Sequence, residues 1–166
     1  LTQAWFMPAN IKKREDEVRV LARRAAQEFI ATGGRCDFVK DVALNYPLRV
    51  VMNVLGVPEE DFPRMLRLTQ ELFGASDPET ERFKAALSNE QFFGLVMAVL
   101  QDFTDYFEKL TAERRAHPKD DLATLLSNAE IDGQPLPPFE RTGYYTIIAT
   151  AGHDTTSSST AAAMWA

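Results

Sequence analysis

Toward its C-terminal end the sequence reads Ala151-Gly152-His153-Asp154-Thr155-Thr156: a glycine, a carboxylic acid and two hydroxyls inside what otherwise reads as a long apolar helix. Helix physics does not favour them there. Glycine in a helix interior costs about 1 kcal/mol against alanine, and threonine also propagates a helix poorly. A functional site is the usual reason for such a local conflict. From Tyr144 to Gly152 the segment is nearly apolar all round, which predicts burial among other elements and sets Asp154 and Thr155 beside a dry region. A threonine hydroxyl can bond the carbonyl four residues back, here that of Ala151, and bend or widen the turn. Gly152 is expected to leave space beside that opening, where a small ligand or water reaches the backbone. Chain physics alone balances this reading evenly against a plainer one, in which small and hydroxyl residues from Ala151 to Thr160 let helices pack closely or form a fraying tail.

The elements that must position this stretch are mostly helical. Residues 1–7 read as a helix end closed by Pro8, followed by a helix from about Ile11 to Ala31 with Val18, Leu21, Ala25 and Phe29 on one face. Gly33 and Gly34 terminate it, and Cys36-Asp37-Phe38-Val39 is expected to be a short extended piece. Asn45-Tyr46-Pro47 starts a helix whose inner stripe is Leu48, Val51, Met52 and Leu55, stopped by Gly56 and Pro58. Glu59-Glu60-Asp61 favours a helix N-terminus, and the next helix continues to about Gly74. A loop at Gly74–Pro78 leads to a long helix from about Ser88 to Ala116, ended by His117-Pro118. A short helix follows from Asp120, then the Asp132-Gly133 signal of a tight hairpin, then a last helix from Pro138 to the chain end. There is no internal repeat or low-complexity segment.

Composition narrows the function classes. At 166 residues, 45% hydrophobic and 25% charged, the chain has the make-up of a globular protein. The net charge is −6 and the longest basic run, Lys12-Lys13-Arg14, is followed at once by Glu15-Asp16-Glu17, which argues against a nucleic-acid partner. The single Cys36 excludes an intramolecular disulfide and fits a reducing compartment. No signal peptide or membrane segment is seen, and the longest apolar run, Tyr144–Gly152, is too short for a span.

The hexapeptide resembles the oxygen-activating motif of the cytochrome P-450 family, Ala/Gly-Gly-x-Asp/Glu-Thr-Thr/Ser, which lies in the central helix I; every defined position matches. The order of elements resembles the family too, over essentially all 166 residues, and in its terms the helices are D, E, F, G, H and I. Leu55-Gly56-Val57-Pro58-Glu59-Glu60-Asp61 and Asp120-Asp121-Leu122 are especially similar to soluble bacterial members. The resemblance implies a mainly α, partial cytochrome P-450 fold with a small β-hairpin, residues 1–166 forming a single partial domain from the end of helix C to the middle of helix I. The ends agree with a fragment: Leu1 opens without an initiator methionine, and Ala161–Ala166 stops without a helix cap.

What the resemblance implies for function is a haem-thiolate monooxygenase of the bacterial cytoplasm that activates molecular oxygen and hydroxylates an apolar small molecule. Haem b is the implied cofactor, with electrons from a nicotinamide cofactor passed through a ferredoxin- or flavodoxin-like donor. Thr155 would hydrogen-bond the oxygen held between metal and helix, or its ordered water, and Asp154 would link that site to bulk protons, a general-acid relay. Ala151, Gly152 and Thr155 would face the haem. Ile147 and Thr150 would line the substrate pocket, joined by Leu72, Phe73 and Phe92 near the connection of helices F and G; for each phenylalanine taken singly, core packing is the simpler reading. The axial cysteine belongs to a Phe-x-x-Gly-x-x-x-Cys loop well after helix I, outside this chain, and Cys36 lacks those surroundings. Glu79-Thr80-Glu81-Arg82 matches the family's Glu-x-x-Arg formula but precedes helix I and reads as a solvated charge run. His117 reads as a helix-end cap, and His153 occupies the variable motif position with no metal role. The isolated fragment is expected to be inactive. The alternative is a non-enzymatic all-helical ligand-binding or interaction domain whose apolar stripes make only a core, and a peroxide-using haem enzyme is a third reading.

Overall fold

A computed structural model describes residues 2–73 and 88–166. The expected loop at Gly74–Pro78 and the charge run Glu79–Arg82 lie outside the described residues. Pro8 opens helix α1 (Pro8–Lys13) at its first position rather than closing a preceding helix, because proline's fixed φ and missing N–H suit a first turn. Helix α2 (Glu15–Ala31) begins on three acidic residues, favourable at the positive end of the helix dipole.

The expected extended piece at Cys36–Val39 is not extended. The chain enters a π-helical turn at Val39–Ala43, because local side-chain bonds capture the backbone: Asp37 N–H donates to Asp41 Oδ2 at 3.0 Å and Lys40 N–H donates to Asp37 Oδ1 at 3.2 Å. Phe38 meets Phe29 of α2 edge to face at 5.9 Å. The turn runs directly into α3 (Asn45–Leu55), which Gly56 ends at φ 85°; the N–H groups of Gly56 and Val57 both donate to Met52 O, at 3.0 and 2.9 Å. A 3-10 turn at Glu59–Asp61 leads into α4 (Phe62–Phe73). The long helix α5 (Asn89–Ala116) is capped by Ser88, whose Oγ accepts from Gln91 N–H at 3.2 Å, and His117 is its C-cap residue. Asp121 caps the short α6 (Leu122–Ser127) by accepting from Thr124 N–H at 2.8 Å.

Strands β1 (Glu130–Ile131) and β2 (Gln134–Pro135) pair antiparallel, with Ile131 opposite Gln134. Their turn has φ 51° at Asp132 and 74° at Gly133, the two positive values a two-residue hairpin of matching twist requires. The last helix is not continuous as expected but divided, into α7 (Pro138–Ala151) and α8 (Asp154–Trp165).

The core lies where α3, α4, α5, α6 and α7 meet, built on Leu48, Met52, Met65, Phe103, Phe107 and Leu126. Phe103 and Phe107 are stacked at 6.1 Å, and Phe107 stacks on Tyr145 of α7 at 4.5 Å with planes 4° apart. The Tyr145 hydroxyl donates to Ala123 O at 3.1 Å and bonds Ser127 Oγ at 3.2 Å and Thr111 Oγ1 at 3.4 Å. One side chain thus joins α5, α6 and α7 with its polar tip fully engaged. The tryptophans are not part of this column: Trp5 packs at the edge of the core under the Arg14 guanidinium, 5.5 Å away, and Trp165 is 94% exposed.

A second knot joins the ends of α3, α5 and α6. Arg114 is buried, donates from Nε to Asp121 Oδ2 at 2.6 Å and also bonds the Gly56 carbonyl. A Cβ on Gly56 would fall 2.1 Å from Asp121 Oδ2, so this position requires glycine for its left-handed backbone and for the carboxylate beside it.

Candidate functional site

The α7–α8 segment has two unlike faces. Tyr145, Ala149, Thr150 (5% exposed), His153 (0%) and Ser157 are buried. Ile147 (65% exposed), Ala151, Gly152 and Thr155 are open to solvent among the described residues. The segment is therefore not buried all round as its composition suggested; one face packs on α3 and α5 and the other is free. Steps of four residues on a helix carry Ile147, Ala151 and Thr155 onto that free face together. Asp154 is half-buried beside it.

At Gly152-His153 the ladder of helical bonds falters. Gly152 N–H reaches Ile148 O at only 3.4 Å, and His153 N–H turns to Thr150 O, three residues back, at 3.3 Å. The space beside Gly152 is not open as expected: an added Cβ would stand 2.9 Å from Val51 Cγ2 and 3.2 Å from Ile148 O. Glycine here lets α3 come close to the break. His153 is held from the same helix's start, its ring Nε2 lying 3.2 Å from Leu44 O. A carbonyl can only accept, so Nε2 carries the proton and Nδ1 is a bare acceptor. That Nδ1 is buried without a hydrogen-bond partner. Burial pushes the His153 pKa below its ordinary 6.5, outweighing the opposite pull of the neighbouring Asp154 carboxylate and of the Leu44 carbonyl.

The hydroxyls of α8 turn inward along their own helix. Thr155 Oγ1 donates to Ala151 O at 3.3 Å, the bond its spacing predicted, and Thr156 Oγ1 to Gly152 O at 3.4 Å. Ser157, Ser159 and Thr160 donate to His153, Thr155 and Thr156 carbonyls at 2.9, 2.9 and 2.8 Å. With its proton committed to Ala151, Thr155 offers lone pairs to the free face and acts there as an acceptor. A groove of about 470 Å3 runs beside α8 between Phe38, Thr156, Thr160 and Met164.

The remaining expected site residues are dispersed. Thr150 lies on the packed side, its hydroxyl bonded to Thr146 O at 2.7 Å. Leu72 and Phe92 pack against the apolar core, and Phe73 is 53% exposed. Cys36 lies half-buried between α2 and the π-helical turn. Sequence reasoning gave His153 no role, although a signal was present: 145, 149, 153 and 157 step by four along the packed face, and a titratable residue on such a face asks for a partner.

The free face suits a flat prosthetic group. Ala151 puts only a methyl there and Gly152 only exposed backbone, so a ring could lie close to the chain, with Thr155 Oγ1 as the polar atom over it. Among the described residues no cluster of three or more His, Cys, Asp or Glu could itself hold a metal ion. Among the described residues no helix is long and apolar enough to cross a membrane.

Comparison with known proteins adds sequence and fold. No family model matches the chain. It is 44% identical over 165 residues to cytochrome P450-terp of a Pseudomonas species, covering 99% of this chain and 39% of that protein. It is 32% identical over 154 residues to a steroid C26-monooxygenase of Mycolicibacterium smegmatis, covering 93% and 33%. Among solved structures, it superposes with a TM-score of 0.79 on CYP108D1 of Novosphingobium aromaticivorans, at 44% identity and covering 94% of this chain and 34% of that one. It superposes with 0.81 on a Mycobacterium marinum cytochrome P450, CYP268A2, in complex with pseudoionone, at 30% identity, covering 93% and 36%. The chain thus spans between a third and two-fifths of the length of these curated relatives.

Proposed function

The chain belongs to the cytochrome P450 family, and from that premise we propose that it is a partial domain of a haem-dependent monooxygenase that uses molecular oxygen to hydroxylate an apolar small molecule. The observation that carries this reading is the free face at the α7–α8 break, where Ala151, Gly152 and Thr155 combine small size with one outward-facing hydroxyl oxygen next to a carboxylic acid. Haem b, when bound, would supply the redox chemistry of dioxygen, with its thiolate coming from outside this chain.

The chain's own residues do the rest. Ala151 leaves only a methyl in the way of the group, and Gly152, whose absent side chain would point at Val51, offers it backbone alone. Thr155 Oγ1 accepts a hydrogen bond on the free face while its own O–H donates to Ala151 O, which orients a small polar ligand without charging it. Asp154, half-buried, carries protons between bulk water and that position. Ile147 contributes apolar surface to the substrate side. The apolar substrate class draws support from the relatives, one named for a steroid and another bound to pseudoionone. Electrons would arrive from a ferredoxin- or flavodoxin-like donor in the bacterial cytoplasm.

The test is made on the whole protein. Reduced with carbon monoxide, it should show the haem-thiolate spectrum. Thr155→Ala should then consume reducing equivalents at a rate close to wild type while product per equivalent falls severalfold and peroxide rises. Unchanged coupling would remove Thr155 from the relay.

A further inference from the structure

We propose that His153 is a positioning residue, pinning the α7–α8 break to the start of α3 through Nε2–H donating to the Leu44 carbonyl, and thereby setting the direction in which Asp154 and Thr155 leave the helix. The proposal rests on the reading of the Asp154–Thr155 face given above.

Three observations converge on it. The break has only weak support of its own, since its helical bonds are long or shifted in register. Helix α3 grips it at two points seven residues apart, Leu44 on His153 and Val51 on Gly152. Leu44 offers its backbone carbonyl at the N-cap and Val51 its side chain about two turns further on, so the break is held at the end and along the flank of α3. A single contact would allow the chain to swivel about it; two fix both the approach and the rotation.

The third observation is a cost left standing. His153 is wholly buried, yet its Nδ1 has no partner. A phenylalanine would fill much the same volume without stranding a polar atom, so packing does not account for histidine here. What histidine adds is one donor reaching across to a carbonyl of another element. That carbonyl sits at the junction of the π-helical turn and α3, so both elements are tied to the residue immediately before Asp154.

Two substitutions separate the roles in the whole, haem-loaded protein. Glutamine carries an amide N–H near the position of Nε2 and can reach Leu44 O; phenylalanine cannot donate. His153→Phe should raise backbone amide exchange across residues 154–157 about tenfold and lower product per reducing equivalent severalfold, with KM little changed. His153→Gln should keep both within about twofold of wild type. Wild-type behaviour in His153→Phe, or a failure in His153→Gln as complete as in His153→Phe, would overturn the pin. Should His153→Phe not fold, the imidazole nitrogen shifts of the unsubstituted protein decide: a protonated Nε2 with a bare Nδ1 upholds the bond to Leu44, and the opposite tautomer refutes it. Amide exchange and nitrogen shifts do not depend on turnover. Absence of the haem-thiolate spectrum would therefore sink the monooxygenase reading while these measurements still judged the pin.

Discussion

A buried imidazole that must stay neutral makes the site's geometry sensitive to proton concentration. His153 has its pKa lowered from 6.5, with burial as the main cause. The folded form therefore takes up its proton at lower pH than the unfolded form, and the stability that depends on the neutral ring is complete above the unfolded pKa. As pH falls below about 6.5 the unfolded chain binds the proton first, and stability declines until the folded pKa is reached. In the whole protein, the melting temperature is expected to fall between about pH 7.5 and 5, and His153→Gln should flatten that slope; an equal slope in the variant would assign the loss to other groups. Tyr145 is a second residue whose tip matters. Burial raises its pKa, so the hydroxyl stays protonated and donates to Ala123 O. Tyr145→Phe keeps the ring stack but leaves Ser127 and Thr111 without that partner, and should destabilise by about 1–3 kcal/mol in a denaturant titration.

At the scale of elements, the sequence revealed most of the helices and the hairpin through apolar period and turn residues. Leu48, Met52 and Leu55 face the core as their spacing demands, and Asp132-Gly133 makes the turn its chemistry requires. Two features were not legible. The π-helical turn at Val39–Ala43 depends on Asp37 and Asp41 choosing local bonds over an extended backbone, a competition that propensity does not rank. The division of the last helix depends on α3, whose Val51 and Leu44 are about one hundred residues away in sequence. Within the motif, Asp154 and Thr155 were recognisable by type, whereas the histidine between Gly152 and Asp154 looked incidental until its ring was seen to bridge two elements. The same contact gives a prediction. Gly152→Ala restricts the unfolded chain, a gain of about 0.4–1 kcal/mol, but drives a methyl into Val51, at a cost of about 1–3 kcal/mol. The net should be a loss, and Val51→Ala should recover it in a double-mutant cycle; additive losses would mean that Val51 is not the obstacle.

Across the whole molecule, the two stretches that looked most like bacterial relatives prove to be one structure. Leu55-Gly56-Val57-Pro58 and Asp120-Asp121-Leu122 meet at Arg114, which bonds both the Gly56 carbonyl and the Asp121 carboxylate. The knot ties the end of α3 to α5 and α6, and α3 in turn grips the α7–α8 break. Asp121→Asn would leave Arg114 without its buried charge partner, with only the half-exposed Glu113 still paired to it, and a loss of about 3–5 kcal/mol is expected by chemical denaturation. A loss under about 1 kcal/mol would show that Glu113, which also pairs with Arg114, suffices. The aromatic column and the outlying tryptophans have an optical consequence. Indole emission from this segment has two sources, Trp5 between its arginine and the edge of the core and Trp165 in solvent, and the second follows the periphery. Near-ultraviolet dichroism should instead carry the signature of Tyr145 against Phe107, with ring centres 4.5 Å apart. Loosening of the interior would darken that signal while the Trp165 share of the fluorescence stayed bright.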